Sequence, residues 1–409
     1  MKINLLISLL FITHFRCFSQ SGCTDPTANN FNPSAIINDG SCTYNTSSLS
    51  VSIKGSVSPI LTESSGLVFT NGVLWSHNDS GNPNNIFKID TANGAVLQTV
   101  SITNFQLIDW EDITADSNYI YVSETGNNNG TRTDLKILKI DKSQFLTNTL
   151  TAVSATAQSI NFSYSDQVSF ASSSSHNFDC ESLISIGNFL YIFTKDRGDL
   201  QTRVYKLSKT PGTYTVSPYS SFNVNGLITG ADYNKQTNEV ALIGYMSPHK
   251  NSFLYILNNF TGDMFFSGNK RRIEIGNSAN DWQTEGITYI SANELFLSCE
   301  TSYVPATLYR TFKSSMIIVA TGIKERKLNG EGLKIYPNPT SGYFEIESNQ
   351  AIIELNVMSL DGNIIFSDKS GNKKVTLKTE IISAENGCYI LKVRTEDRTY
   401  FQKLLLTKQ

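Results

Sequence analysis

A repeat of strand-like segments at intervals of about 50 residues restricts the fold of residues 51–322 more than any other feature. Each unit opens with small or acidic residues and one apolar residue, and a second apolar segment ends nine to eleven residues later. The five openings are Ser65-Gly66-Leu67, Glu111-Asp112-Ile113, Glu181-Ser182-Leu183, Ala231-Asp232-Tyr233 and Glu285-Gly286-Ile287. Successive openings lie 46, 70, 50 and 54 residues apart, which indicates an architecture built from repeated units.

The segments within each unit are short, and Gly, Asn and Asp turns separate them without any long amphipathic helix. The intervals match the size of a four-stranded propeller blade. We therefore predict an all-β fold with a five-bladed β-propeller over residues 51–322. The 70-residue interval holds either an insertion or a degenerate sixth blade, which leaves a six-bladed propeller open. A β-sandwich is the competing architecture, but it would not repeat acidic strand openings.

Composition agrees with an extracellular β-rich protein. Charged residues make up 17% of the chain and aromatic residues 11%, and the formal net charge is −3. No basic patch interleaved with aromatic residues occurs, so nucleic acid is not an expected partner.

Residues 1–19 have the features of a signal peptide. Lys2 precedes an apolar run over residues 3–12, and Cys17-Phe18-Ser19 forms a small-x-small cleavage site before Gln20. The run is about half the length that a membrane-spanning helix needs, and no later stretch is apolar enough to span a bilayer. We expect export to an oxidising compartment and no membrane span after cleavage.

Residues 22–44 read GCTDPTANNFNPSAIINDGSCTY, and a module with its linker is predicted over residues 20–50. The segment resembles short calcium-binding-like repeats related to thrombospondin type 3 repeats. The resemblance implies a Cys23–Cys42 disulfide, and a segment this short needs such a bridge because it cannot build a core. It also implies calcium ligands at Asp25, Asn38 and Asp39, although the same side chains can instead form Asx-turns. The other cysteines are expected to stay unpaired.

The central region resembles an uncharacterised family of secreted bacterial β-propellers, which implies a fold rather than a reaction. The residues that carry the resemblance are Glu63-Ser64-Ser65-Gly66-Leu67, Trp75-Ser76-His77-Asn78-Asp79-Ser80-Gly81, Asp109-Trp110-Glu111-Asp112-Ile113, Glu124-Thr125-Gly126-Asn127-Asn128, Asp179-Cys180-Glu181-Ser182-Leu183 and Thr284-Glu285-Gly286-Ile287.

Residues 331–409 follow a linker at 323–330 and form the last predicted domain. They open with LKIYPNPTSG from Leu333, continue with VMSLDG from Val357 and GCYILKV from Gly387, and close with KLLLTK from Lys403. This pattern resembles the C-terminal sorting domain of type IX (Por) secretion. Pro-Asn-Pro, Asp-Gly and Asn-Gly turns between short alternating runs predict a small immunoglobulin-like β-sandwich. The resemblance implies the type IX secretion machinery as a partner and a secreted or cell-surface location, reached through the outer membrane.

The repeat also predicts two sets of polar side chains on one face of the propeller. The innermost strand of a blade starts where the antiparallel second strand ends. The inner set is Glu111, Asp112, Glu181, Asp232 and Glu285, and the outer set is His77, Asp79, Glu124, Asp196 and Glu300. Carboxylates that face one channel repel each other unless a cation or a proton intervenes. Calcium ligands are therefore predicted at the inner set and at Glu300. The alternative is that these acids accept backbone N–H groups of the adjacent blade.

Three functions remain open from the sequence. The first is a secreted propeller that binds an extracellular ligand or partner on its acidic face, with calcium as the cofactor. The second is a calcium-dependent hydrolase of a phosphoester, lactone or glycan-derived substrate, in which the metal acts as a Lewis acid. The third is a non-catalytic adhesion scaffold. The four histidines lack zinc-site spacing, and no Gly-x-Ser-x-Gly elbow occurs.

Overall fold

The computed structural model describes residues 20–246, 249–276, 282–318, 333–359, 363–369, 371–378, 386–397 and 399–407. The predicted signal peptide and the predicted linker at 323–330 lie outside these ranges. The chain divides into two compact units, one up to Ala320 and one from Thr321. No helix in the described ranges is long and apolar enough to cross a membrane.

The described part of the first unit consists of strands joined by turns and three short 3₁₀ helices, at Lys142–Gln144, Phe265–Ser267 and Lys313–Ser315. Its strands, in chain order, are β1 (Ser21–Gly22), β2 (Ile37–Asn38), β3 (Ser47–Ser48), β4 (Ser52–Ser56), β5 (Ser64–Thr70), β6 (Val73–Asn78), β7 (Asn85–Ile89), β8 (Val96–Ile102), β9 (Trp110–Ala115), β10 (Tyr119–Glu124), β11 (Lys136–Asp141), β12 (Ala152–Ala155), β13 (Ala157–Tyr164), β14 (Cys180–Ile186), β15 (Phe189–Thr194), β16 (Gln201–Ser208), β17 (Gly212–Val216), β18 (Pro218–Asn223), β19 (Leu227–Asn234), β20 (Glu239–Met246), β21 (Lys250–Asn258), β22 (Asn269–Glu274), β23 (Thr284–Tyr289), β24 (Glu294–Cys299), β25 (Thr307–Phe312) and β26 (Ile317–Ile318).

Most of these strands form five sheets, numbered here in chain order. Sheet 1 has the strand order β5-β6-β7-β8-β12, sheet 2 β9-β10-β11-β13-β17, sheet 3 β14-β15-β16-β18, sheet 4 β19-β20-β21-β22-β3-β26 and sheet 5 β23-β24-β25-β4. The innermost strands are β5, β9, β14, β19 and β23, and each begins within a few residues of a predicted unit opening. The 70-residue interval contains β12, β13 and the loop 165–179, and no further sheet among its residues.

The five innermost strands lie side by side, and the fifth contacts the first. Hydrogen bonds cross four of the five junctions, from Ser65 to Glu111, from Leu183 to Asp112, from Tyr289 to Asp232 and from Phe69 to Thr288. The strands approach closely: a Cβ at Gly230 would lie 2.1 Å from the carbonyl oxygen of Glu285. Glycine is therefore required where β19 passes β23.

Neighbouring sheets also exchange strands at their outer edges. Strand β12 lies in the chain between β11 and β13 of sheet 2, but it pairs in parallel with β8 of sheet 1. Strand β17 lies between β16 and β18 of sheet 3, but it pairs in parallel with β13 of sheet 2. Strand β3, close in sequence to β4 of sheet 5, pairs with β22 of sheet 4. Strand β4, near the start of the unit, completes sheet 5 by pairing with β25, near its end.

Apolar side chains from adjacent sheets fill the spaces between the sheets. Trp75 and Trp110 are almost fully buried in a cluster shared by sheets 1 and 2. The innermost strands are covered on both faces, so strands such as β9 and β23 are buried at nearly every position. Outer strands such as β22 alternate buried and half-buried positions.

The N-terminal module contains the two-stranded sheet of β1 and β2. A disulfide with an S–S length of 2.06 Å joins Cys23 to Cys42, which confirms the predicted pairing. Cys180, Cys299 and Cys388 are free thiols, also as predicted. The module packs on sheet 4, where the Arg271 guanidinium lies 4.1 Å from the centre of the Tyr44 ring.

The second unit is all β, as predicted. Its strands are β27 (Leu333–Tyr336), β28 (Tyr343–Ser348), β29 (Glu354–Met358), β30 (Ile364–Asp368), β31 (Lys374–Lys378), β32 (Gly387–Arg394) and β33 (Thr399–Leu406). They form two antiparallel sheets with the orders β27-β28-β31 and β30-β29-β32-β33. Side chains from both sheets, including Phe344, Leu355 and Leu391, share one buried core.

Candidate functional site

Every innermost strand of the first unit has a β-bulge close to its start. The register against the second strand shifts at Ser65, at Glu111-Asp112, at Glu181, at Thr229 and at Glu285-Gly286. A bulge places two residues opposite one and redirects a side chain out of the regular alternation. The same backbone irregularity therefore presents three glutamates, from sheets 2, 3 and 5, at one end of the ring.

Other carboxylates join these glutamates where the innermost strands begin and the second strands end. The resulting group, which we call the acidic mouth, is Asp79, Asp109, Glu111, Asp179, Glu181, Glu285 and Glu300. Each of its members interacts electrostatically with at least one other. The cationic side chains paired with it among the described residues are Lys195 and Arg197, so negative charge is in excess.

One part of the acidic mouth, the first triad, consists of Asp79, Asp109 and Glu111. One carboxylate oxygen from each lies within 4.8 Å of the others. A Cβ at Gly126 would lie 2.0 Å from Glu111 Oε1 and 2.4 Å from Asp109 Oδ2. The missing side chain at Gly126 therefore makes the space that these two carboxylates occupy.

A second triad consists of Glu111, Asp179 and Glu181, with the same upper distance of 4.8 Å between its ligand atoms. Lys195 Nζ lies 2.7 Å from Glu181 Oε2, and Arg197 is paired with Asp179. The two triads share Glu111, and the second triad is already paired with Lys195 and Arg197.

A hydrogen-bond network fixes the loop that carries Asp109. Both oxygens of the buried Glu124 accept backbone N–H groups, at 2.9 Å from Ile108 and from Asp109. Arg132 Nη2 donates to Glu124 at 3.0 Å, and its Nη1 donates to the carbonyl of Gly126 at 2.9 Å. Glu124, predicted on the outer rim, therefore holds the first triad in position rather than joining it.

Burial and mutual repulsion set the protonation of the first triad. Burial, followed by repulsion from Asp109, raises the pKa of Asp79 to about 8. Burial, followed by the charges of Glu181 and Asp79, raises the pKa of Glu111 well above its usual range. Glu111 is 4% exposed. Without a cation, this triad must bind protons.

The carboxylates of sheet 5 complete the acidic mouth. Glu285 Oε2 is buried without a hydrogen-bond partner among the described residues, and Tyr245 donates to Oε1 at 3.4 Å. Glu300 accepts a hydrogen bond from Gln283. Burial, followed by repulsion from Glu285 and Asp79, raises the pKa of Glu300 well above its usual range.

Two members of the predicted inner set lie elsewhere. Asp112 is fully buried, and its oxygens accept backbone N–H groups of Ile113 at 2.8 Å, Leu183 at 2.7 Å and Ala231 at 3.3 Å. It therefore ties β9 to β14 and β19, which is the alternative role that the sequence left open.

Asp232 has a similar role between sheets 4 and 5. It accepts hydrogen bonds from Tyr289 N at 2.8 Å and Thr288 Oγ1 at 2.9 Å. The bulge of β19 falls at Thr229, three residues earlier. The predicted opening at Ala231 is therefore two residues too late, because Thr229 stands at the position equivalent to Glu181.

The remaining members of the outer set are not part of either triad. His77 is buried, its Nδ1 lies 2.9 Å from the carbonyl of Asn78, and burial lowers its pKa to about 4. The imidazole is therefore neutral. Asp196 is paired with Arg203.

The predicted calcium ligands of the N-terminal module form turns. Asp25 Oδ1 accepts from Thr27 N at 2.8 Å, Asn38 Oδ1 from Gly40 N at 3.0 Å, and Asp39 Oδ1 from Ser41 N at 3.0 Å. Within the described ranges, no group of three Asp, Glu, His or Cys side chains suited to a metal includes Asp25 or Asp39.

Asp109, Asp179 and Lys195 are site residues that the sequence reasoning missed. The two aspartates stand two residues before Glu111 and Glu181, so an Asp-x-Glu spacing recurs at the start of β9 and β14. That spacing was a usable signal, because residues i and i+2 of a strand share a face. No comparable signal marked Lys195.

Comparison with known protein families bears on the second unit. Residues 334–407 match the family described as secretion system C-terminal sorting domain. The second unit is a sorting domain. This confirms the prediction from the sequence, and the sorting domain indicates a protein that type IX secretion delivers outside the cell or to the outer-membrane surface. No curated protein sequence matches the chain.

Among solved structures, similar chains include PorZ, a surface component of the type IX secretion system of Porphyromonas gingivalis, at 13% identity and a TM-score of 0.32. The similarity covers 84% of this chain and 44% of PorZ, so this chain spans less than half of PorZ. The PQQ-bound aldose sugar dehydrogenase of Streptomyces coelicolor has 11% identity, coverage of 67% and 99%, and a TM-score of 0.37.

An exo-β-1,3-galactanase of Phanerochaete chrysosporium has 11% identity, coverage of 80% of this chain and 93% of its own, and a TM-score of 0.42. All three TM-scores lie below 0.5, so these similarities carry no argument about the function of this chain.

Proposed function

We propose that this protein is exported by type IX secretion, that its first unit is a five-bladed β-propeller, and that the acidic mouth binds calcium and, through it, an extracellular ligand. The propeller interpretation is supported by five sheets whose innermost strands contact one another in a closed series. The absence of a sixth sheet from the described part of the 70-residue interval favours five blades.

The first triad carries the proposal for the site. Asp79, Asp109 and Glu111 bring three carboxylate oxygens within 4.8 Å of one another, and no Lys or Arg among the described residues forms an ion pair with any of them. Glu285, which interacts electrostatically with Asp79, is 3% exposed, and its Oε2 is buried without a hydrogen-bond partner among the described residues. A buried carboxylate without a partner is costly, and a bound cation removes that cost.

Calcium is the cation that best fits this triad. Its ligands are hard oxygens in flexible geometry, and extracellular sites bind it with dissociation constants on the order of 10⁻⁴–10⁻³ M. Calcium takes six to eight oxygen ligands, whereas the triad supplies three side chains. The remaining positions are available to water, to backbone carbonyls or to an oxygen-rich ligand such as a carbohydrate or a carboxylate.

Calcium titration of the full chain tests this proposal. Isothermal calorimetry is performed on protein that carries Asp25→Asn and Asp39→Asn, so that the N-terminal module does not contribute. We expect a calcium site that Asp79→Asn with Asp109→Asn abolishes. At a hundredfold excess over Kd, calcium should stabilise the folded protein by about 2.7 kcal/mol.

The matched control is Glu294→Gln, which removes a carboxylate on β24 that is distant along the strand from the acidic mouth. It should leave calcium binding unchanged. Equal heats for the protein with and without the triad would show that the acidic mouth holds protons instead of a metal.

The open coordination positions also favour a second candidate, a calcium-dependent hydrolase. A metal with a free position polarises a carbonyl or phosphoryl oxygen and activates water. Turnover of phosphoester, lactone or glycoside substrates that requires calcium and is lost in Asp79→Asn would support it. Calcium binding without turnover leaves the binding function.

Export is tested separately by deleting residues 331–409. The truncated chain should remain in the periplasm because it lacks the sorting domain, whereas the full chain reaches the medium or the cell surface. Normal appearance of the truncated chain outside the cell would contradict the proposal.

A further inference from the structure

We infer that Lys195 and Arg197 restrict the acidic mouth to a single bound cation, because their charges occupy the half of the mouth that would otherwise hold a second ion. The inference rests on the proposed calcium site and adds its stoichiometry, and with it the chemistry that the site can support.

The carboxylates alone offer two adjoining cation sites. The first and second triads each bring three ligand oxygens within 4.8 Å, and both include Glu111. A carboxylate shared in this way is the usual bridge between two metal ions. Glu111 is 4% exposed. Glu285, which interacts electrostatically with Asp79 and Glu181, has a buried Oε2 without a hydrogen-bond partner among the described residues, so the protein leaves part of the acidic mouth unsatisfied.

The two triads differ in the cations that the protein provides. In the second triad, Lys195 Nζ contacts Glu181 Oε2 at 2.7 Å, and the side chains are 6% and 3% exposed. Arg197 is paired with Asp179 and lies 3.6 Å from Glu181 Oε1. Among the described residues, no lysine or arginine forms such a pair with the first triad. A second calcium would have to displace a buried ammonium group or share the triad with it, at the cost of strong repulsion.

The position of Lys195 in the repeat shows how this difference arises. In four sheets, the residue that follows the second strand donates its N–H to the carbonyl of a residue that precedes the innermost strand. These residues are Asp79, Thr125, Lys195 and Glu300. At equivalent places, sheets 1 and 5 thus contribute a carboxylate and sheet 3 contributes an ammonium group. One residue of the repeat therefore decides whether a triad needs an external cation.

A single ion has consequences for function. Two-metal catalysis of phosphoryl transfer needs a pair of ions about 3.5–4 Å apart, which stabilise the attacking and the leaving oxygens. An acidic mouth that holds one ion beside the Lys195–Glu181 ion pair lacks the second metal ion. The site therefore suits ligand binding through one calcium, or Lewis-acid chemistry at one centre, and not two-metal hydrolysis.

Native mass spectrometry and calorimetry of the full chain in calcium measure the stoichiometry. All variants carry Asp25→Asn and Asp39→Asn. We expect one calcium in the otherwise unchanged protein, two in Lys195→Met, none in Asp79→Asn, and one in the combination of Lys195→Met with Asp79→Asn. The control is Lys209→Met, which removes a largely buried lysine paired with Asp116 at 2.9 Å, away from the acidic mouth. It should leave one calcium.

Near-ultraviolet circular dichroism in calcium checks that each variant is folded. Lys195→Met combined with Arg197→Gln removes both positive charges from the second triad, and it should also admit a second ion. A stoichiometry of two in the unchanged protein, or of one in both Lys195→Met and this double variant, overturns the inference but leaves the calcium site standing. A stoichiometry of zero in every variant overturns the calcium site itself and the inference with it.

Discussion

The N-terminal module and the acidic mouth were both predicted to bind calcium, but their carboxylate oxygens differ in the hydrogen bonds that they accept. In the module, Asp25 and Asp39 accept N–H groups two residues ahead in the chain. At the mouth, Glu285 Oε2 is buried and has no hydrogen-bond partner among the described residues. Local turns can satisfy a carboxylate that follows them closely in sequence. Carboxylates brought together from different sheets have no such neighbour, and those are the ones that call for a cation.

The largest expected effect separates two adjacent residues. Asp112, like the module acids, is saturated by backbone N–H groups, whereas Glu111 is not. Asp112→Asn should lower the free energy of unfolding by about 3 kcal/mol, because an amide NH₂ faces buried donors. Glu111→Gln should raise stability in chelator, because it relieves repulsion. Chemical denaturation measures both. Equal losses in the two variants would remove the distinction between saturated and unsaturated acids.

The next effect concerns the module. Replacing Cys23 and Cys42 by serine should cost the module about 3 kcal/mol of local stability, because the disulfide closes a loop across 19 positions of sequence. Hydrogen exchange of residues 22–44 should become fast, while calcium binding at the mouth stays unchanged. Loss of calcium binding in this variant would instead place the cation in the module.

A smaller effect concerns pH. Burial and Asp109 raise the pKa of Asp79 from an ordinary 3.8 to about 8. The folded state therefore binds this proton more tightly than the unfolded state does. The resulting stability is fully present below pH 3.8 and is lost as the pH rises through about 8.

In chelator, unfolding free energies between pH 6 and pH 8.5 should fall by up to about 1.4 kcal/mol per pH unit for one proton. Asp79→Asn should flatten this slope, and saturating calcium should do the same. A rising slope in the unchanged protein would contradict the assignment.

The smallest effect is expected for Asp25→Asn with Asp39→Asn. Asparagine keeps the acceptor oxygen of an Asx-turn, so stability should change by less than about 0.5 kcal/mol. Calcium affinity of the full chain should be unaffected. A calorimetric site lost in this variant would show that the module binds calcium despite its turns.

The sequence was informative wherever the signal was local. The starts of four innermost strands, the Cys23–Cys42 disulfide and the sorting domain all follow from turns, spacing or motifs within a few dozen residues. The opening of the fourth unit was misplaced because the bulge carries Thr229, and a threonine does not stand out from the many in this chain.

Features that depend on tertiary contacts could not be predicted. Lys195 reads as an ordinary surface lysine until β14 and β15 place it against Glu181. The hydrogen bonds of Asp112 reach two other innermost strands, 71 and 119 residues away in sequence. The exchange of β12 and β17 between sheets could not be predicted from the spacing of apolar residues, because an edge strand has the same sequence pattern in either sheet.

That exchange of edge strands determines how the first unit opens. Sheet 1 cannot lose its outer edge without disturbing the segment that leads into sheet 2, and the same holds for sheet 2 with sheet 3 and for sheet 4 with sheet 5. Proteins usually unfold partially in several ways that have different free energies. In this unit we expect few such partial openings. The slowly exchanging amides of all five sheets should therefore exchange together, in one unfolding step. For a chain that must survive outside the cell without chaperones, proteases would then find few partly open states to cut.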